Sequence, residues 1–403
     1  IEPDRPAVRV PGRRRAGYFY RPPVAPGGDE SDGAAGEWRE LALVNSIRAR
    51  MAEWQAAGRP GLTRSSAELV AYWRRDGRKH RLFFAQLEAA ETIIFLTEAR
   101  ADYRQGIAVP VDEPGEEAKA DGIAAFRRLC CKMATGSGKS TVMAMLAAWS
   151  ILNKGADRSD ARFSDTVLAV CPNVTIRNRL QEIDPRNGDA SLYRARYLVP
   201  ERLMPDLQQG RVIIWNWHAF EPQGSAVGGT GARVIKAGRA RQTTEIFTVA
   251  AKTTSFHGRK YMTPEVLEAR VANGDLRIIA DKTDASGRRT VTVAGTAYVE
   301  SDRALVNRVL KDAASGKSNI LVLNDEAHHA YRLWRADEDE DENGDEDDGG
   351  EDSAYARREA TVWVEGLDKI NRLRGINLSI DLSATPYFIG RGRRETNTVF
   401  PWT

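Results

Sequence analysis

The stretch "FRRLCCKMATGSGKSTVMAMLAAWSILN" constrains the fold more than any other part of the chain. An apolar run, Phe126–Ala134, meets a glycine-containing loop, and the loop opens directly into a segment whose apolar residues recur nearly all round a helix. A strand feeding a helix N-terminus through glycines makes an anion site. The first N–H groups of a helix lack intrahelical acceptors, and the helix dipole favours negative charge there. Gly136 and Gly138 let the backbone curl with its N–H groups inward, Lys139 supplies a point charge for terminal phosphates, and Ser140 supplies a hydroxyl for Mg²⁺. The usual pattern, G-x-x-x-x-G-K-[ST], fails at its first position, where this chain has Met133. The strand–loop–helix context decides in favour of phosphate binding. A second "SGKS", Ser315–Ser318, follows a helical stretch and precedes a strand, the wrong order for a phosphate loop. Gly316 there reads as a helix C-terminal residue.

The rest of the chain supplies the partners such a strand needs. "TVLAVCP", "RVIIWN", "NILVLND" and "INLSIDLSA" are short, nearly continuous Val/Ile/Leu runs, the mark of a sheet covered on both faces. Their alternation with helical stretches such as "NVTIRNRL" predicts an α/β fold with a parallel sheet. Ahead of them, "EWRELALVNSIRARMAEW" and "SSAELVAYWRR" read as a helical pair, followed by a third helix in "RLFFAQLEAAETIIFLTEAR". The predicted division is a flexible arm over 1–35, in which "AGYFYRPP" is able to dock as an edge strand, a helical extension over 36–110, and a nucleotide-binding domain over 111–403. Two inserts interrupt that domain. Residues 221–318 hold a basic segment, "RVIKAGRARQ", and a hairpin, "LRIIADKTDASGRRTVTVAGTAYVES"; residues 336–353 hold an acidic run whose composition predicts disorder.

Charge sharpens the contrast. Twelve of the 56 acidic residues fall within 337–352, so elsewhere 59 basic residues face 44 acidic ones. That surplus suits a body that binds a polyanion, and equally an arginine-rich protein with one solvated acidic loop. No apolar run approaches the ~18 residues of a membrane span. The N-terminus, "IEPDRPAVRVPGRRR", has no apolar core segment. Cys130, Cys131 and Cys171 offer neither a disulfide framework nor C-x-x-C spacing, and read as small buried residues of a cytoplasmic protein. Opening on Ile1 and closing on "FPWT", the chain reads as part of something longer.

The second chemical signal is "LVLNDEAHHAYR". A strand ending in Asp325 and Glu326 is expected beside the phosphate loop. Asp325 would hold Mg²⁺ through water, and Glu326 would orient and deprotonate the attacking water, a base role that a metal-neutralised Asp325 cannot fill.

Together "MATGSGKS", "DEAHH" and "DLSATPYF" resemble motifs I, II and III of superfamily 2 helicases. The form with Met133 resembles the restriction-enzyme branch, the motor subunits of type III and type I restriction endonucleases. The resemblance covers most of 40–403 outside the inserts. It implies a RecA-like P-loop NTPase domain, an ATP hydrolase of the DNA helicase or translocase type that uses ATP and Mg²⁺. Thr135, Gly136, Ser137, Gly138, Lys139, Ser140 and Thr141 would bind ATP. Gln86, in a Q-motif-like segment, would read adenine through its amide. His328, Ser383 and Thr385 would couple the nucleotide site to the nucleic-acid face. "VCPNVTIRNRL" resembles motif Ia and "VIIWNWHAFEP" the region of motif Ic. By that likeness Asn173, Thr175, Arg177, Asn216 and His218 would contact the backbone of duplex DNA, sequence-independently and with salt sensitivity. A methyltransferase or specificity subunit is the implied partner, in a restriction or antiviral defence system. The second RecA-like domain with its arginine finger, and the nuclease domain, are not among these 403 residues, so the chain alone is expected to be nearly inactive.

Plainer readings stand beside these. Gln86 also suits a polar residue at a helix N-terminus, His218 a partner for a backbone carbonyl, and His329 a packing neighbour of His328. Trp215 and Trp217, flanking Asn216, read as packing on one sheet face, with base stacking as the alternative. An RNA-remodelling DEAH helicase, or an ATP-gated scaffold without catalysis, are the competing functions.

Overall fold

The computed structural model describes residues 13–20, 37–111, 113–223, 238–250, 255–256, 259–272, 276–284, 287–310, 319–330, 350–384 and 397–402. Most of the N-terminal arm, nearly all of the acidic run, the second "SGKS" and Thr385 lie outside them.

"AGYFY" does form a strand, β1 (Gly17–Tyr20), paired antiparallel with β2 (Glu37–Glu40). That pairing corrects the expected first helix. Residues 37–40 are extended, and α1 runs over Ala42–Ala56. α2 (Arg64–Arg74) begins at Thr63, whose side chain accepts from the Ser66 N–H, and α3 spans Phe84–Glu98. α3 is buried nearly all round, and its three buried glutamates each have partners. Glu88 pairs with Arg13, Glu91 with Arg74 and Arg59, and Glu98 accepts from Trp149 Nε1 at 2.6 Å and from the Thr63 N–H at 2.8 Å. Buried carboxylates survive because partners replace their lost water. Short helices α4 (Ala101–Arg104) and α5 (Glu116–Ala120) lead to the sheet.

The sheet is six-stranded and all parallel. β3 (Arg128–Met133), β4 (Thr166–Cys171), β5 (Arg211–Asn216), β11 (Ile320–Asp325), β12 (Ile376–Ser383) and β13 (Thr398–Trp402) lie in the order β13-β3-β12-β11-β4-β5. One row of buried side chains crosses five strands, Leu129–Ile380–Leu323–Ala169–Ile214. These residues share a single apolar cluster with α6 (Lys139–Ala156), α2 and α3, so the sequence division at 110/111 runs through one continuous core. The other face is covered too: Trp363, on the long helix Gly350–Arg374, donates to Asn324 Oδ1 at 3.2 Å. Asn324 in turn donates to Asp381 Oδ1 at 2.8 Å and Ser379 Oγ at 3.1 Å, while Arg128 Nε donates to Asp381 Oδ2 at 2.7 Å. Arg128 also reaches the Ala330 carbonyl. A buried polar line thus runs through β3, β12 and β11. The helices α7 (Val174–Arg179), α8 (Leu192–Ala195) and α9 (Met204–Gln209) fill the connection from β4 to β5.

Residues Ala219–Ser315 form a separate compact unit, close to the expected insert. Its strands β6 (Gly238–Val249), β7 (Ser255–Phe256), β8 (Arg259–Met262), β9 (Leu276–Thr283) and β10 (Arg289–Glu300) make a sheet ordered β7-β8-β6-β10-β9, with helices α10 (Pro264–Ala272) and α11 (Asp302–Val309). The predicted hairpin is β9–β10. Phe247, Met262, Leu267, Leu276, Val291 and Val293 form its small core. Among the described residues, no helix is long and apolar enough to cross a membrane.

Candidate functional site

The glycine loop joins β3 to α6 at the C-terminal edge of the sheet. Met133 is fully buried and pairs with Trp402 of β13, so the position where the usual pattern has glycine is an interior strand position filled by a side chain. Gly136 (φ 81°) and Gly138 (φ 92°) adopt the left-handed conformation that glycine takes without cost. The loop is pinned from within, since Ser137 donates to the Ala134 carbonyl through its N–H at 3.1 Å and its hydroxyl at 2.6 Å.

It is also pinned from α3. Gln86 Oε1 accepts from the Phe83 N–H at 3.0 Å, capping its own helix, and Gln86 Nε2 donates to the Ser137 carbonyl at 3.2 Å. A Cβ on Gly138 would lie 2.0 Å from Gln86 Nε2, so a larger residue there would have to displace the amide as well as strain the backbone. The residue read as an adenine contact therefore caps a helix and braces the loop. Thr135 and Gly136 are exposed, while Ser137, Gly138, Ser140 and Thr141 are half-buried.

Lys139, nearly buried, places Nζ 2.6 Å from Glu326 Oε1. The loop and the acidic strand end meet even though their strands are not neighbours. β12 lies between β3 and β11, and the end of β11 nonetheless lies beside the loop, as expected, because Glu326 reaches across the end of β12. Glu326 is held in the left-handed region (φ 51°, ψ 47°), a conformation that costs a non-glycine residue about 1–3 kcal/mol. Asp325 is fully buried; one oxygen accepts from the Glu326 N–H at 3.2 Å and the other lies 3.5 Å from Arg179 Nη2. Burial raises its carboxyl pKa and the Glu326 charge adds to the rise, against Lys139 and Arg179. Arg179 had no part in the sequence reading, and its only signal was a basic last turn of α7.

His328 Nδ1 lies 2.8 Å from Ser383 Oγ, joining the turn after β11 to the end of β12. Burial and the neighbouring His329 lower the His328 pKa. His329 is more than a packing neighbour. Its Nδ1 is 3.2 Å from Glu359 Oε2 on the long helix, and that bond raises its pKa.

The expected nucleic-acid residues gather at the ends of two paired strands, β4 and β5. Asn173 caps α7, accepting from the Ile176 N–H at 2.9 Å; Thr175 is exposed and Arg177 half-buried. Asn216 ends β5 and is nearly buried. His218 is exposed and stacks on Trp217 with ring centroids 3.8 Å apart. Trp217 leaves the strand for a 3₁₀ turn, so it does not continue the alternation of Trp215.

The donors available for Mg²⁺ are oxygens, the Ser140 hydroxyl and the Asp325 carboxylate, which fit a hard cation. Among the described residues no group of three or more His, Cys, Asp or Glu is placed to hold a metal, so such an ion would need phosphate oxygens and water to complete its shell. No protein-family model, curated protein or solved structure matches the chain.

Proposed function

We propose that the chain is the ATP-binding part of a superfamily 2 motor of the restriction-enzyme type, with a RecA-like P-loop NTPase domain that acts on duplex DNA. The observation that carries this reading is the 2.6 Å contact between Lys139 and Glu326, which brings the glycine loop and the acidic strand end to one place on the sheet edge. The strained backbone at Glu326 and the buried Asp325 beside it support a site held in a defined shape.

On this reading the loop N–H groups and Lys139 bind the phosphates, and Glu326, released from Lys139, accepts the proton of the attacking water. A bound Mg²⁺ would be held by Ser140 and, through water, Asp325, and would neutralise charge on the phosphates. Asn173, Thr175, Arg177 and Asn216, at the end of β4–β5, grip phosphodiester oxygens.

The test is a fluorescent-ATP titration with Mg²⁺, followed by ATP hydrolysis with duplex DNA or RNA added to the protein carrying its second motor domain. Saturable binding lost in Lys139→Ala, with stimulation by duplex DNA, supports the proposal. Binding unaffected by Lys139→Ala refutes the nucleotide site, and stimulation by RNA alone transfers the chain to the RNA-remodelling class.

A further inference from the structure

Two guanidinium groups converge on one helix end, away from the glycine loop. Arg127, just before β3, donates through Nη2 to the Leu96 carbonyl at 2.7 Å. Arg104, at the end of α4, donates through Nη1 to the same carbonyl at 3.3 Å, and its Nε is buried without a hydrogen-bond partner. Leu96 lies in the last turn of α3, where carbonyls lack intrahelical donors and the dipole welcomes a cation. One arginine satisfies that need. The second adds a like charge in a partly desolvated place, and burial together with Arg104 lowers the Arg127 pKa. Neither arginine forms an ion pair with a described carboxylate.

Both arginines line a cavity of about 410 Å³ whose other walls include Ile107, Val109, Pro110 and Leu129. An apolar cavity with a few convergent polar groups is the usual form of a small-molecule site. In a second arginine-lined cavity, about 400 Å³ between α1 and α3, Glu88 and Glu91 pair Arg13 and Arg74, so carboxylates already meet part of its positive charge.

We propose that the Arg104–Arg127 cavity binds a small organic anion, a carboxylate or phosphate on an apolar body. The two guanidiniums hold the anionic group with charge-assisted hydrogen bonds, and the aliphatic walls cover the body. Because the cavity lies at the N-terminal end of β3 and the glycine loop at the other, the two sites are independent, and this proposal does not rest on nucleotide binding.

Thermal unfolding at constant ionic strength tests it, with benzoate, phenyl phosphate, inorganic phosphate and neutral benzamide as probes. A saturable rise in the midpoint with benzoate or phenyl phosphate is expected, and the stronger of the two identifies the anionic group. The rise should vanish in Arg127→Met, fall about tenfold in apparent affinity in Arg104→Met, and persist in Lys139→Ala. Loss of the rise in Lys139→Ala would assign it to the glycine loop and overturn the proposal. So would an equal response to benzamide, an equal response to inorganic phosphate and phenyl phosphate, an unchanged response in Arg127→Met, or no saturable rise with either organic anion. If Arg127→Met is too unstable to titrate, Arg104→Met decides in the same directions.

Discussion

Lys139 Nζ and Glu326 Oε1 are 2.6 Å apart, so the lysine of the glycine loop and the carboxylate after β11 neutralise each other across the sheet edge. The side chains are 9% and 21% exposed, and so interact more strongly than a surface pair. On the proposed reading, phosphates entering the loop displace Glu326 from Lys139. Glu326→Gln should therefore bind ATP more tightly than the parent, by about threefold to tenfold, a gain of about 1 kcal/mol. Lys139→Ala should lose most of its affinity. Equilibrium titration with fluorescent ATP measures both, and weaker binding in Glu326→Gln would refute the competition.

Gln86 and Gly138 form a second coupled pair. Gln86→Ala removes a helix cap and the bond to the Ser137 carbonyl, and should cost about 1 kcal/mol of stability without any nucleotide. Gly138→Ala should cost more, since φ is 92° and the new Cβ would meet Gln86 Nε2 at 2.0 Å. In urea unfolding, the double variant should be less destabilised than the sum, because removing the Gln86 amide opens the space and leaves only the backbone strain. Strict additivity would mean that Gln86 swings aside freely.

The pair His329–Glu359 predicts a pH dependence. The folded protein raises the His329 pKa through its bond to Glu359. The stabilisation is thus fully present below the ordinary histidine pKa, about 6.5, and is lost as pH climbs through the raised value. Glu359→Gln should be most destabilised relative to the parent on the acid side, with the difference shrinking as the pH is raised. His328 carries the opposite sign, since burial lowers its pKa, which is why the comparison with the parent matters. A difference that stays flat across about pH 5 to 8 would dispose of the pair.

The three thiols should be silent in the native state. Cys130, Cys131 and Cys171 are all buried, and burial pushes Cys130 and Cys171 up to about 12. A chromogenic disulfide reagent should titrate none of them before unfolding and all three afterwards. Fast labelling of the native protein would contradict their place in the core.

What the sequence made legible was local. The strands β3, β4, β5, β11 and β12 and the glycine loop could be found because each is a continuous apolar run or a short motif. β13 was missed, since "TVFPW" carries a proline and earns its strand character only beside β3. Glu37–Glu40 read as helical because its partner strand lies about twenty residues earlier, beyond any periodicity. The same holds at the site. Lys139, Asp325 and Glu326 stand in motifs, whereas Arg179 meets Asp325 across 146 residues and Glu359 meets His329 from another helix. Pairings of that kind are decided by packing and leave no pattern along the chain.

The polar line through Arg128, Asp381, Ser379 and Asn324 has a consequence for how the chain finds its shape. Runs such as "TVLAVC", "ILVLND" and "INLSIDLS" are nearly interchangeable as greasy ribbons, and a parallel sheet built from them alone could be threaded in several orders or slid by two residues at small cost. Asn324 and Asp381 act as addresses on those ribbons: misplacing either strand leaves a buried charge or amide without the partners it meets in this order. Polar residues in the middle of an oily sheet thus serve as its proofreading.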